Sequence, residues 1–490
     1  MSKDASSNEP LAAAEPIRLK ARGDTLILGG GFAGAYVARG LGKRGATIVN
    51  PENFMLYTPV LPEAASGALE PRHVVVPLRT MCRNADLLLG RAVAIDESAR
   101  VVRVESETAV FEVEYEQLVV ALGAVTRLLP VPGLAEHALE FKSVTDAVQL
   151  RNHVLRQLDL ADADVDRAQH HLTFVFVGGG FAGVEAVAEL SVLVRQALRR
   201  YPNLQGIEPD WLLVDSGSRI LPQSPERLSD YAARRLGGRG IDLRLHTRLE
   251  WLDEAAARLS DGSLIETRTV VWTAGVAANP VQAQLGLPLD RQGRVLVDEL
   301  LRVVGRERLW ALGDGARVPN AATGDEPDPP TCQHALRQAR RLAKNLIGPA
   351  KPYRFRTLGQ AATLGRHRGI AVVFGLPLQG FSGWLVGRAY HIHQLPLLSR
   401  KLRVVVDWLV ALVGRRDLAA LGSGQTQQPA PPDTARSTRA GVQAAQLSGH
   451  LQVLLAVEEE LEGLGASQER LDRVRRAIAL ARLELTRAAA

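Results

Sequence analysis

Leu26-Ile27-Leu28-Gly29-Gly30-Gly31-Phe32-Ala33-Gly34 is an apolar run closing in G-x-G-x-x-G, and Val175-Phe176-Val177-Gly178-Gly179-Gly180-Phe181-Ala182-Gly183 repeats it. Each copy sits between a strand-like run and a helical pattern, the context of a dinucleotide fingerprint. Gly29 and Gly178 permit the tight turn. Gly31 and Gly180 remove the Cβ that would block a pyrophosphate, and Gly34 and Gly183 let helix pack on strand. The helix starts at Phe32 and Phe181 then present free N–H groups to phosphate. One such loop is a weak signal; two nearly identical copies predict an α/β fold with two Rossmann-like dinucleotide-binding domains.

Working outward, Asp24–Leu28 and Ala46–Val49 read as the first two strands, and the second ends at Asn50. A Rossmann unit usually carries an acid there to hold ribose hydroxyls; the Asn50 carbonyl can still accept such a bond. Leu87–Ala94, Val101–Glu105 and Val110–Tyr115 read as hairpin strands. Leu118–Leu122 is an apolar strand running into Ala121-Leu122-Gly123. In the second half, Trp211–Val214 ends at Asp215, an acid that accepts ribose hydroxyls and repels a 2′-phosphate, which favours NADH over NADPH. Leu309–Asp314 reads as a buried strand delivering one carboxylate, and Thr331–Ile347 as a helix.

The chain has 490 residues, 46% hydrophobic and 23% charged, which fits about three globular domains. Net charge is +6 and the isoelectric point about 9.5. The basic excess is densest over Arg400–Arg416, interleaved with apolar residues, which points to anionic lipid and away from nucleic acid. The cysteines, Cys82 and Cys332, number 2. They form no C-x-x-C pair, so a disulfide scaffold, a redox-active cysteine pair and a zinc site are all disfavoured, and a reducing compartment is expected. Residues 1–22 read as a disordered lead-in without an apolar signal core. No run of about 20 apolar residues occurs to span a bilayer. His391 and His393 diverge on a helix, so no metal site is expected.

The expected organisation is one dinucleotide-binding domain over 23–144 and 286–380, interrupted by a second over 145–285; the resemblance described below makes the first the FAD-binding and the second the NADH-binding domain. An amphipathic segment at 381–420 follows, with Trp384, Tyr390 and Trp408 read as interfacial residues. A linker at 421–433 leads to a helical hairpin tail at 434–490, where Leu471, Val474, Ile478, Ala481 and Leu485 fall at heptad spacing.

Over residues 24–420 the chain resembles the type II NADH:quinone oxidoreductases, non-pumping two-dinucleotide-binding-domain flavoproteins. The resemblance rests on the glycine loops, Thr58-Pro59-Val60-Leu61-Pro62, Val76-Pro77-Leu78-Arg79, Val271-Trp272-Thr273-Ala274-Gly275-Val276, Leu312-Gly313-Asp314, Pro330–Gln338, and Ala362-Thr363-Leu364-Gly365-Arg366. It implies FAD at Gly29, Gly31, Gly34, Asn50, Ala121, Gly123, Gly313 and Asp314. It implies NADH at Gly178, Gly180, Gly183, Asp215, Ala274 and Gly275. Asp314 would hold the ribityl chain, and Glu185 would sit near the flavin–nicotinamide contact. The family's A-Q-x-A-x-Q helix lines the quinone site. Here Gln333 matches, while Arg337 replaces the second Gln. Glu185 and Gln333 are thus the implied catalytic positions. The implied protein is peripheral on the cytoplasmic face of a membrane, meeting NADH, a membrane quinone and an anionic surface. A homodimer is left open. Two other readings stand beside this one: reductase of a soluble carrier such as ferredoxin, and a non-catalytic NADH-responsive binding protein.

Overall fold

Thr25–Leu28 is buried along its whole length in the computed structural model, as is its counterpart Thr173–Val177. Strands buried on both faces are the mark of parallel sheets covered by helices. The structure describes residues 15–420 except 325, 358 and 415, together with residue 475. The expected linker and, apart from residue 475, the expected helical tail lie outside the described residues.

The two glycine loops lie in two five-stranded parallel sheets. The first runs Leu309–Ala311, Gln117–Val120, Thr25–Leu28, Ala46–Asn50, Ala85–Leu89. The second runs Leu139–Glu140, Thr269–Trp272, Thr173–Val177, Asp210–Val214, Ile241–Arg244. In each, the loop leaves a central strand for a helix, Phe32–Leu41 or Phe181–Ala197. An antiparallel ribbon of Ala124–Thr126 and Val276–Ala278 joins the halves, with Val125 opposite Ala277. Gly123 and Gly275, at φ +65° and +81°, stand just before its strands. Leaving a parallel sheet for an antiparallel ribbon requires a sharp change of direction, and only glycine adopts those angles freely.

Helix Cys332–Ile347 begins under a Thr331 cap that accepts the His334 N–H, and it packs along Phe32–Leu41. The backbones approach closely: a Cβ on Gly40 would stand 2.5 Å from the Ala343 Cβ. Helix Val144–Ala163 opens with a reciprocal box in which Ser143 and Asp146 each bond the other's backbone N–H. A three-stranded antiparallel sheet over 359–380 sends Ala362, Leu364 and Ile370 into the core of the second half.

Two expectations are corrected. Residues 17–20 of the expected disordered lead-in form a parallel edge strand against Val110–Glu114. Ladder hydrogen bonds, with Arg18 paired to Glu112 at 3.6 Å, hold it without burying apolar side chains, so composition gave no signal. The expected strand Leu87–Ala94 is two strands. Ala85–Leu89 ends the first parallel sheet, and Arg91–Asp96 turns at Gly90 into a four-stranded sheet of its own. A Cβ at Gly90 would stand 2.6 Å from the Glu105 carbonyl oxygen, which leaves room only for glycine at this crossing.

The C-terminal helices Phe381–Gln394 and Leu398–Val413 pack inward as well as outward. Trp384 and Trp408, expected at a membrane interface, are buried in protein. Asp407, which breaks the apolar run of its helix, faces in: it pairs with His73 at 2.6 Å and accepts the Glu70 N–H. Opposite them, Leu398, Leu402, Val406, Leu409 and Val410 are each more than half exposed. Their three- and four-residue spacing puts them on one face. Among the described residues no helix is long and apolar enough to cross a membrane.

Candidate active site

The two glycine loops are near replicas in three dimensions. Gly29 and Gly178 have φ of +106° and +120°. A Cβ on Gly34 or Gly183 would stand 1.8 or 1.9 Å from the carbonyl oxygen of Gly29 or Gly178. A Cβ on Gly31 or Gly180 would meet no atom within 4 Å. That space lies before a helix N-terminus, where backbone N–H groups and the helix dipole favour phosphate. Both loops therefore fit a dinucleotide pyrophosphate. Behind each, a neighbouring strand end supports the turn. The Ala121 carbonyl oxygen lies 2.3 Å from where a Gly29 Cβ would be, and the Thr273 hydroxyl donates to the Val177 carbonyl at 2.9 Å.

The residues expected at the ribose positions hold the middle glycine of each loop. Asn50 Oδ1 accepts the Gly30 N–H at 2.7 Å, and Asp215 Oδ2 accepts the Gly179 N–H at 2.5 Å. Their second contacts differ in polarity. Asp215 Oδ1 accepts the Gly217 N–H at 2.7 Å, whereas Asn50 Nδ2 donates to the Glu52 carbonyl at 2.7 Å. Two residues on, the backbone offers its N–H to the carboxylate but its C=O to the amide. The Asn50 departure is matched by its own loop.

Gly313, at φ +77°, turns the chain so that Asp314 follows the strand Leu309–Ala311. Burial pushes the Asp314 carboxyl up, against the pull of Lys142 and His334. Gln338, part of the Pro330–Gln338 motif but given no role by the sequence, accepts the Gly313 N–H at 2.8 Å and donates to Asp328 at 3.0 Å. Asp328 also pairs with His334 at 2.6 Å and accepts from Asn320 at 2.8 Å. This buried, mutually bonded set fixes the Gly313 turn from behind. Ala274 and Gly275 stand beyond the strand Thr269–Trp272, level with the second loop.

Glu185 and Gln333 occupy two neighbouring cavities. Gln333 and Arg337, one helical turn apart, line the first with Phe32, Tyr57, Cys332 and Tyr390. Gln333 Nε2 donates to the Gly359 carbonyl at 3.2 Å and to the Tyr390 hydroxyl at 3.3 Å. Phe32 is the first residue of the helix behind the first glycine loop, so this cavity abuts that nucleotide site. The second cavity is lined by Glu185, Glu63, Thr363, Arg388 and His391. Tyr57 stands between the two, donating to the His391 carbonyl at 3.2 Å. Burial drives the His391 imidazole down to about 4, with Arg388 adding to the effect, so it is neutral near pH 7.

Around the second cavity lies a charge cluster that the sequence did not reveal. Glu63 pairs with Arg388 at 3.1 Å and accepts the Trp408 indole N–H. Glu189 pairs with Arg416 and accepts the Thr363 hydroxyl at 2.9 Å. The Arg388 guanidinium is sandwiched, 4.4 Å from the Trp384 ring centroid and 4.2 Å from that of Trp408. Burial pushes Glu189 up, yet Arg416 and Arg388 outweigh it and its carboxyl sits below the usual range. Among the described residues Glu185 has no such cation. Burial drives its carboxyl well above the usual range, Glu63 and Glu189 add to this, and the Thr363 N–H at 2.8 Å opposes it. Three carboxylates share two arginines, and Glu185 is the one whose upward shift no neighbouring arginine opposes among the described residues.

Cys82 and Cys332 are both free. Burial raises their thiols, to about 11 and about 12, so neither is a thiolate at neutral pH. Among the described residues no His, Cys, Asp or Glu cluster could hold a metal.

Two glycine cradles on two joined parallel sheets define a protein with paired dinucleotide-binding folds. The chain belongs to the pyridine nucleotide-disulphide oxidoreductase family, whose model matches residues 23–339. It is similar to a probable NADH dehydrogenase of Dictyostelium discoideum, with 28% identity over 81% of this chain and 90% of that protein. A type II NADH:quinone oxidoreductase of Mycobacterium tuberculosis is 28% identical over 83% of this chain and 90% of its own length. The solved structure of NDH2 from Plasmodium falciparum in complex with NADH has the same fold. Its TM-score is 0.76 at 17% identity, over 82% of this chain and 99% of that one.

Proposed function

We propose that this protein is an FAD-dependent NADH:quinone oxidoreductase, non-pumping, working at a membrane surface. The observation that carries the reading is the pair of matched glycine cradles, with a largely apolar cavity where the Phe32 end of the first loop's helix meets Gln333. The named activities of the relatives support it. The first cradle, with Asn50, Gly123, Gly313 and Asp314, would hold FAD; the second, with Asp215, Ala274 and Gly275, would hold NADH. When bound, FAD supplies the acceptor for a hydride and the donor of electrons to a quinone. The chain's part is orientation and charge. Gly31 and Gly180 bring helix N-termini to the phosphates. Gln333 would face the acceptor with an amide held by Gly359 and Tyr390, and burial raises the Glu185 carboxyl one cavity away. A soluble acidic carrier would need exposed cations at its docking surface, whereas Arg337 lies in the wall of an apolar cavity. The test is stopped-flow absorbance on the purified yellow protein. NADH is expected to bleach the flavin and a short-chain quinone to restore it, while ferredoxin does not. Restoration by ferredoxin alone would reject the quinone reading.

Asp215 predicts the choice of nucleotide. Its carboxylate would lie beside a 2′-phosphate, and a like-charge juxtaposition costs several kcal/mol. NADH is expected to exceed NADPH in kcat/KM by about a hundredfold or more. Asp215→Arg should narrow that gap, and Asp215→Ala should also weaken NADH, because the Gly179 and Gly217 N–H groups lose their acceptor. Equal native turnover of both nucleotides would refute the role.

Membrane attachment we assign to the exposed face of Leu398–Val413, on the cytoplasmic side, with Arg400, Lys401 and Arg403 beside it for anionic lipid. Removing the whole segment would strip Glu63 and Glu189 of their cations, so point charges are the cleaner probe. The native protein is expected to float with anionic vesicles, and Leu402→Glu with Val406→Glu to stay in solution while still binding FAD. Flotation of the double variant at the native level would move the attachment elsewhere.

A further inference from the structure

Arg337 is the one charged side chain among the described residues lining the cavity of Phe32, Tyr57, Gln333 and Tyr390. Its guanidinium lies 5.2 Å from the Phe355 ring centroid, and its buried Nε has no hydrogen-bond partner among the described residues. No ion pair among the described residues includes it. This contrasts with Arg388 and Arg416 nearby, each bound to a buried carboxylate. A guanidinium set in an apolar wall gives up hydration that a ring face returns only in part. Its planar fork suits anionic oxygens, and bonding them would complete its pairing. The rest of the lining offers no competing carboxylate: aromatic rings, Leu336, two amides and a thiol that burial keeps neutral.

We propose that Arg337 makes this cavity selective for quinones carrying an ionised ring hydroxyl over neutral quinones of the same size. The ligand chemistry is that of the 2-hydroxy-1,4-naphthoquinone anion. The inference rests on the quinone-reductase reading and names its substrate class. The anion changes recognition and not stoichiometry: NADH and one solvent proton become NAD+, and the quinone gains two electrons and two protons to become the hydroquinone.

The test compares KM for 2-hydroxy-1,4-naphthoquinone and 2-methyl-1,4-naphthoquinone at neutral pH, on the FAD-loaded full chain in neutral detergent. The native protein is expected to show the lower KM for the anion. Arg337→Gln should raise that KM, relative to the KM for the neutral quinone, about tenfold or more, the worth of a charge-assisted hydrogen bond. Arg337→Lys, which keeps the charge, should retain most of the preference. A native protein that favours the neutral quinone overturns the proposal, and that comparison needs no variant to fold. So does an Arg337→Gln variant whose two KM values rise together; turnover of both quinones would still stand, leaving the oxidoreductase reading intact. A native protein whose flavin bleaches with NADH yet reduces neither quinone would overturn both readings.

Discussion

Arg388→Met is expected to destabilise the protein by about 3–5 kcal/mol, the cost of leaving one member of a buried ion pair without its partner. Glu63 is 6% exposed and Arg388 15%, so solvent screens the pair little. The variant also loses the stacking of the guanidinium between Trp384 and Trp408. What remains among the described residues is the Glu63 carboxyl with the Trp408 indole as its donor. Burial already holds Glu63 above the usual carboxylate range, and Arg388 opposes that rise. Without Arg388 it rises further. A group whose folded value is raised costs stability above that value, and the cost fades as pH falls and the group takes up its proton. The defect should therefore be smaller at pH 5 than at pH 8. Adding Glu63→Gln should recover much of the loss, because no buried charge is then left unpaired. Urea unfolding of the FAD-loaded protein at both pH values measures this. A single variant within about 1 kcal/mol of native at pH 8 would show that the cluster is already wet.

The cluster also marks where the sequence stopped being readable. Both glycine loops, their flanking strands and the helices after them were legible because hard-sphere contacts at Gly34 and Gly183 admit no side chain. Strand ends carrying Asn50, Asp215 and Gly313-Asp314 followed from the same pattern. The bonds from Asn50 and Asp215 to the middle glycines did not, because they depend on how the loop curls back on the strand. The amphipathic period over 399–413 is legible in the sequence, but a period does not say what covers each face. The sequence pattern suits Trp408 to a membrane interface, but in the fold it reaches Glu63, 345 residues away in sequence. Buried acids such as Glu63 and Glu189 are invisible to composition, since carboxylates are ordinarily exposed. Their cations come from chain segments far off in sequence.

Asn50→Asp, which restores the family's usual acid, is expected to weaken FAD retention by about tenfold or more. In the second half, the acid works because the Gly217 N–H turns toward it, and a Cβ on Gly217 would stand 2.9 Å from Asp215 Oδ1. In the first half, the corresponding residue is Glu52, and its carbonyl oxygen lies 2.7 Å from Asn50 Nδ2. An aspartate oxygen placed there would face that carbonyl, losing one hydrogen bond and adding a repulsion, roughly 1–3 kcal/mol for a polar group left without its partner. The bond from the Gly30 N–H survives, so the glycine cradle itself should persist. Adding Glu52→Gly supplies the side-chain-free position found at Gly217, letting the peptide turn its N–H toward the new carboxylate. The double variant should regain most of the native affinity, while Glu52→Gly alone should lose a little. Released-flavin fluorescence on dilution gives the apparent Kd for all four proteins. If Asn50→Asp holds FAD as tightly as the native chain with Glu52 in place, the polarity of this loop does not govern the cofactor, and the match between Asn50 and its backbone carries no binding energy.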